Sequence, residues 1–382
     1  MRVKKITPRY FNLYERSAHN DLDAGVDFIK RNADMKKNYY AFTCLQFHPT
    51  AKKLLCGTTN FSNDVLHTFD PATKEFQSLG YAQFGRDEFE IKCHRSLAVG
   101  KDGKVYGATS CLHDIPDRLK GPGGKVFSYD LNTKKFELLC IPKQHDYIQT
   151  ISLDPEREMI YGFTYPVFEF FAYSIREKKV KYLQYMQSIT HLSAIDDAGG
   201  YWGTWGFDHK FFRYDPVSNS VNFFKHGLPL QCHSLMYKNA GPVDMMLNAG
   251  DGSLYITSEI AELYRLNPKT AEVAYLGRPF ASNRMPGLTV GPKGLLFGAG
   301  GIDDDTQLCS FDRETGRFEN LGHIKATEGG NAGSKKGADS RVPAGTTCFR
   351  THDLIAVGNT LYCGETDNPK RGDFLWEIEL SD

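Results

Sequence analysis

Ser96-Leu97-Ala98-Val99, Gly100-Lys101-Asp102-Gly103, Val105-Tyr106-Gly107-Ala108 is the stretch from which the fold can be read. Two apolar runs flank a turn built from Gly and Asp, and each run has strand length rather than helix length. Downstream, Val126-Phe127-Ser128-Tyr129 and Phe136-Glu137-Leu138-Leu139 flank a second turn, Asp130-Leu131-Asn132-Thr133. The unit is strand, turn, strand, loop, strand, turn, strand, which is the plan of one four-stranded propeller blade.

The unit recurs. The second-strand phrase reads Leu55-Cys56-Gly57-Thr58, Val105-Tyr106-Gly107-Ala108, Ile160-Tyr161-Gly162-Phe163, Tyr201-Trp202-Gly203-Thr204, Leu254-Tyr255-Ile256-Thr257, Leu296-Phe297-Gly298-Ala299 and Leu361-Tyr362-Cys363-Gly364. Only the fifth copy lacks its glycine. An aromatic-Asp-x-x-Thr turn follows most copies, at Phe69-Asp70, Tyr129-Asp130, Tyr214-Asp215 and Phe311-Asp312, with the variants Tyr173-Ser174 and Leu266-Asn267. Spacings of roughly 40 to 60 residues fit one blade per copy. The expectation is an all-β chain, a seven-bladed β-propeller forming one domain over residues 1–382. First strands are expected near residues 42–47, 96–99, 148–153, 192–195, 234–237, 288–290 and 354–357. The last blade is one strand short after residues 374–378, and residues 3–14 can supply the missing strand and close the ring.

The 46 basic and 46 acidic residues cancel, so no net field favours nucleic acid or an anionic membrane. No apolar run has membrane-spanning length. Met1-Arg2-Val3-Lys4-Lys5 leads into no apolar segment, so no signal peptide is visible. The sequence as written reads as cytoplasmic, or as secreted or periplasmic if a leader has been removed. Nine cysteines without a CxxC pair, mostly inside strand phrases, read as buried free thiols. A monomer is expected.

In a propeller the start of each innermost strand and the loop between second and third strands share one face, the top. The long segments 81–92, 112–124 and 323–347 belong there, and the last reads as a flap. His94, His145, His191, His233 and His352 open the second, third, fourth, fifth and seventh blades, and Asn283-Arg284 opens the sixth. Arg95, Tyr147 and Arg350 stand beside them. One such histidine is ordinarily structural; five in one register around one channel mouth point to a functional cluster. Two chemistries suit it. One is a metal held by neutral imidazoles. The other is an anionic-substrate site, with Arg and His holding a carboxylate and a His or Tyr moving protons. Abstraction of the proton beside a uronate carboxylate needs the second set. Trp205, and the aromatic loops around Phe163 and Trp202, are candidates for stacking on sugar faces; for Trp202 packing between blades is the better reading. Asp303-Asp304-Asp305, Glu259, Glu365 and Asp367 offer oxygen ligands of the kind Ca²⁺ takes, although solvated loop charge accounts for them as well.

His94-Arg95-Ser96-Leu97-Ala98-Val99 followed by His145-Asp146-Tyr147-Ile148-Gln149 resembles the pattern of seven-bladed propeller polysaccharide lyases, among them ulvan lyases and the lyases that cleave rhamnose linked to glucuronic acid. The resemblance implies β-elimination at O4 of a uronic acid in an acidic polysaccharide or oligosaccharide. It makes His94 and His145 the first catalytic candidates, with Tyr147 and Arg95 beside them; the blade-opening register adds His191 to the catalytic set and His233, Arg284, Arg350 and His352 to the substrate-binding one, with Trp205 as the stacking candidate. It implies no cofactor for the chemistry, with Ca²⁺ or another divalent ion in a structural role. Oligogalacturonate lyases share the architecture, but their closely spaced His/Gln manganese cluster has no counterpart near His352. Two rival classes stand beside this one. A lactonase-type hydrolase would place Glu, Asn and Asp around Ca²⁺ in the channel, where this chain has His and Arg. A non-catalytic binding scaffold would not need a mouth rich in His and Arg.

Overall fold

The computed structural model describes residues 1–14, 33–111, 116–229, 242–328, 330–331 and 341–382. Among them are seven four-stranded antiparallel sheets, six running in simple sequence order from an inner to an outer strand and the seventh taking its outer strand from residues 2–9. The inner strands are Ala41–His48, Leu97–Val99, Tyr147–Asp154, Ala194–Ile195, Val243–Asn248, Gly287–Val290 and Thr351–Val357. Consecutive inner strands pack against one another, and the seventh packs against the first.

The seventh sheet is closed as expected. Its outer strand is Arg2–Arg9, hydrogen-bonded to Leu375–Ser381 in a register that runs from Arg2 opposite Ser381 to Arg9 opposite Leu375. Ile6 also exchanges hydrogen bonds with Thr327 of the sixth-to-seventh connection, its N–H donating to Thr327 Oγ1 at 3.1 Å and its carbonyl accepting from the Thr327 N–H at 3.1 Å. The otherwise open edge of the last blade is thereby paired.

The repeated phrases have physical work to do. The Asp of the third-to-fourth-strand turn accepts two backbone N–H groups. Asp130 Oδ1 takes those of Asn132 and Thr133 at 2.8 and 3.2 Å, and Asp215 and Asp312 do the same in their own blades. Each turn then passes through one left-handed residue, Lys134, Asn219 or Gly316, which matches the twist of the hairpin. The glycine of the second-strand phrase is a close-approach residue. A Cβ on Gly57 would lie 2.8 Å from the Cys93 carbonyl oxygen, and one on Gly364 would lie 2.8 Å from that of Phe42. Both oxygens belong to the next blade, so this residue sets how closely neighbouring sheets stack.

The apolar core lies in layers between blades. Tyr161, Phe163, Phe170, Tyr201 and Phe212 fill the layer between the third and fourth sheets, and Trp376, Phe374 and Leu354 belong to the one between the sixth and seventh. Trp202 is fully buried and donates its indole N–H to Asp196 at 2.8 Å, in keeping with a packing role. Eight cysteines are free thiols, seven of them buried, as their strand context implied; Cys232 lies outside the described residues.

One inner strand is not where the sequence suggested. The fifth blade opens with Val243–Asn248, paired through a short turn to Leu254–Ser258. Residues 234–237, the expected strand, lie outside the described residues, as does His233. The shift is decisive for the site, because it brings Asp244 to the inner position of that blade.

Candidate functional site at the channel mouth

Four inner strands carry the same irregularity near their start. Pairing skips one residue between Phe42 and Cys44, Ile148 and Thr150, Val243 and Met245, and Thr351 and Asp353. The skipped residues are Thr43, Gln149, Asp244 and His352. A bulge of this kind re-aims a side chain and frees backbone groups from the ladder. Here the freed groups face the channel and are gathered by residues of the second blade.

His94 Nδ1 lies 2.7 Å from the Gln149 carbonyl oxygen. Arg95 reaches across the ring, donating from Nη1 to the Asp244 carbonyl at 2.8 Å and from Nη2 to the His352 carbonyl at 3.0 Å. Arg284, from the sixth blade, clasps the Asp244 carboxylate with Nε at 3.1 Å and Nη2 at 2.6 Å. His191 Nδ1 stands 3.7 Å from the same carboxylate, and Arg95 Nη2 is 3.8 Å away. His352 Nε2 faces His94 Nε2 at 3.1 Å with the rings edge to face. Six blades, the second to the seventh, thus contribute to one cluster. Arg95 and Arg284 both adopt left-handed backbone, with φ of 44° and 64°. That conformation is costly for residues with a side chain and is held by the surrounding hydrogen bonds.

The cluster is nearly closed to solvent: Arg95 is 2% exposed, His94 3%, His191 and Arg284 5%, and His352 7%. His352 is therefore its most open member. Burial holds the imidazoles neutral. His94 and His352 fall well below the usual histidine range, through burial first and then through neighbouring cations, Lys92 and Arg95 beside His94 and Arg95 beside His352. His191 is lowered to about 3 by burial, against the pull of Asp244. Burial also opposes ionisation of Asp244, but Arg284 and Arg95 outweigh it and keep the carboxylate charged.

Neutral imidazoles fix a chain of tautomers. A carbonyl only accepts, so His94 Nδ1 carries the proton donated to Gln149. His94 Nε2 is then a lone pair, and His352 Nε2–H donates to it. His352 Nδ1 is left with an unshared lone pair, and it has no hydrogen-bond partner among the described residues.

Of the expected site residues, His94, Arg95, His191, Arg284 and His352 come together. His145, Tyr147, Arg350 and Trp205 do not join them. His145 Nδ1 bonds the Gly121 carbonyl at 2.7 Å, and its own carbonyl accepts from Arg118. Tyr147 is fully buried against Phe89 and Cys111, with its hydroxyl on Asp87 Oδ1 at 3.2 Å. Burial and then Asp87 push its ionisation upward. Arg350 points into the acidic loops, 3.4 Å from Asp303 and 3.3 Å from Asp367. Trp205 donates to the Phe211 carbonyl at 3.1 Å and packs edge-on against Phe223. Phe163 is fully buried. Among the described residues no group of three or more His, Cys, Asp or Glu is arranged to hold a metal ion. Asp244 is the central residue that the sequence reading missed.

Solved structures share the architecture. Selenomethionine-substituted virginiamycin B lyase from Staphylococcus aureus superposes with a TM-score of 0.60 at 13% identity, over 97% of this chain and 100% of that one. A catalytically inactive histidine-to-alanine form of the same enzyme with quinupristin gives 0.59 at 12% identity, with the same coverage. The extracellular domain of a B. thetaiotaomicron protein assigned as a one-component system gives 0.56 at 12% identity, over 98% of this chain and 40% of that one. No family model and no curated protein sequence matches the chain. At these identities the likeness is one of fold: the chain is a seven-bladed β-propeller.

Proposed function

We propose that this propeller is a carbon–oxygen lyase working by β-elimination at the channel mouth, and that its substrate is a uronate-containing polysaccharide, with glucuronate next to rhamnose as the first choice. One observation carries the reading: the unshared lone pair of His352 Nδ1, aligned by the His94–Gln149 chain and set among guanidinium groups. Elimination needs a neutral base beside positive charge. The base removes the proton next to the carboxylate, and the positive charge stabilises the carbanion-like transition state. His352 Nδ1 is closed to solvent in this structure, so the mouth must open for a uronate to reach it; Nδ1 then takes the C5 proton, the electron pair forms the C4–C5 double bond, and the C4–O4 bond breaks. The departing O4 takes a proton from the imidazolium just formed or from water. His94 and the Gln149 carbonyl orient the base; Asp244 holds Arg284 and His191 in place.

The lyase names of two structural neighbours and the resemblance of residues 94–99 and 145–149 to propeller polysaccharide lyases support the same class. His352, rather than His145 or Tyr147, takes the base role in this reading, because the latter two are engaged away from the cluster.

The test is a panel of glucuronate-rich polysaccharides followed by absorbance near 235 nm, where unsaturated uronates absorb. Cleavage with a rise in that band is expected, together with a loss of about 10²–10⁴-fold in rate for His352→Ala. A panel without any unsaturated product, or a His352→Ala protein with full activity, removes the reading.

A further inference from the structure

The two arginines of the cluster are already engaged. Arg284 is bidentate on Asp244, and both terminal nitrogens of Arg95 are held by carbonyls. Arg95 Nε keeps an unpaired N–H, but the side chain is only 2% exposed, so a substrate carboxylate would have to part the cluster to reach it. Another cation stands at the mouth without such commitments. Lys92 forms isolated bridges to Thr59 of the first blade and to Ser110 of the second. Its backbone is fixed by bonds in both directions to Ser110, at 3.2 and 2.8 Å, and the next residue donates to the Thr58 carbonyl at 3.1 Å. Lys92 is an isolated bridge residue two positions before His94. The side chain is half-buried. Among the described residues no carboxylate lies within ion-pairing distance of it.

We infer that Lys92 is the carboxylate-recognition residue of the channel mouth, binding the acidic group of the substrate while His352 and His94 face the adjacent carbon. This rests on the elimination reading above and names the group that selects acidic sugars within it. Three features support it: a backbone locked between two blades, a position two residues from His94, and a charge with no carboxylate partner among the described residues. A half-buried ammonium without a counter-ion is a poor structural choice and a good anion site.

The arrangement also couples binding to basicity. Lys92 ranks directly after burial among the influences that depress His94, and it acts on His352 and Cys111 as well. A carboxylate on Lys92 cancels that influence, so the imidazole pair becomes more basic when an acidic substrate is present. A neutral sugar lacks this effect.

The experiment uses methyl β-glucuronide and its methyl ester as probes, with the His94 and His352 ring signals followed by NMR in wild type, Lys92→Met and Lys92→Arg. The free acid is expected to shift both ring signals in the wild type and to raise their titration midpoints. Lys92→Met is expected to weaken the response about tenfold to a hundredfold. Lys92→Arg should retain most of it, and the ester should act weakly and equally on all three proteins. Equal responses of wild type and Lys92→Met to the acid overturn the inference, as does a wild type that ignores the acid. Dispersed ring signals in Lys92→Met report that it is folded. If the acid binds through Lys92 but no polysaccharide yields the 235 nm band, the lyase reading fails while the carboxylate site stands.

Discussion

Replacing Asp244 by Asn keeps the shape of the side chain and deletes its charge. In the wild type the carboxylate is 1% exposed and takes two bonds from Arg284, with Arg95 Nη2 at 3.8 Å and His191 Nδ1 at 3.7 Å. The variant leaves Arg284 without the carboxylate that clasps it and Arg95 with Asp353 as its remaining acidic neighbour. Removing one partner of a buried pair costs about 3–5 kcal/mol, chiefly because the other charge stays desolvated. Unfolding entropy near 2.1 cal/mol/K per residue converts this to a fall of about 4–6 °C in Tm for a chain of this length. Denaturant unfolding followed by tryptophan fluorescence gives the free energy, and calorimetry gives Tm. Arg284→Met removes the guanidinium that depends most on Asp244. The double variant should therefore lose at least about 1 kcal/mol less than the sum of the single losses. An Asp244→Asn protein within about 1 kcal/mol of wild type, or strict additivity in the cycle, would refute the account of the cluster as a charge-compensated hub.

Acid should loosen the ring through its buried imidazoles. His94, His191, His352 and His67 are all held below the ordinary value of 6.5, mainly by burial. Their contribution is complete above that value and is lost as pH falls towards their folded values, at up to about 1.4 kcal/mol per pH unit for each. Asp353 runs the other way. Burial raises it from 3.8 to about 6, so its contribution is present at low pH and disappears as pH rises through 6. Asp353 Oδ2 and Oδ1 also accept the N–H groups of Leu45 and Leu354, so Asp353→Asn carries a pH-independent cost as well; relative to wild type the variant should gain about 2 kcal/mol between pH 4.5 and pH 7.5, in urea melts at the two pH values. A pH-independent effect of this variant would remove that assignment. Deleting residues 1–9 should lower Tm of the whole ring rather than produce a separate minor transition, because it exposes the edge of Leu375–Ser381; an unchanged Tm would contradict the closure.

Seven blades, their four-strand plan and the closing strand were legible because each depends on local pattern. The aromatic-Asp turn is read by backbone N–H groups two and three residues on, and the phrase glycine by a neighbour's carbonyl. The two requirements recur in most copies and leave a mark on the sequence. The cluster was only half legible. His94, His191, Arg284 and His352 announced themselves by register at blade openings. Asp244 did not, since the strand before Leu254 was placed about nine residues early, on His233. Nor does any residue type mark the bulges at Thr43, Gln149, Asp244 and His352, which decide which inner side chains turn inward. His145 and Tyr147 show the converse. They open a blade in the expected register, but the neighbouring segments 85–91 and 118–124 offer Asp87 and the Gly121 carbonyl, and those contacts take them out of the cluster.

The pairing of Arg2–Arg9 with Leu375–Ser381 makes the earliest strand of the propeller the partner of its latest. During translation this strand waits, unpaired, until almost all of the propeller has emerged. Joining segments so far apart in an unstructured chain would cost about 5 kcal/mol in closure entropy. Stacking the intervening blades removes most of that cost beforehand, since each sheet brings the ends nearer. Assembly is thus expected to be progressive along the ring, with the seam zipped last, and the slow step should be insensitive to where the backbone is cut elsewhere. A circular permutant joined across the seam and opened at another inter-blade connection would keep the ring but no longer require its two ends to find each other.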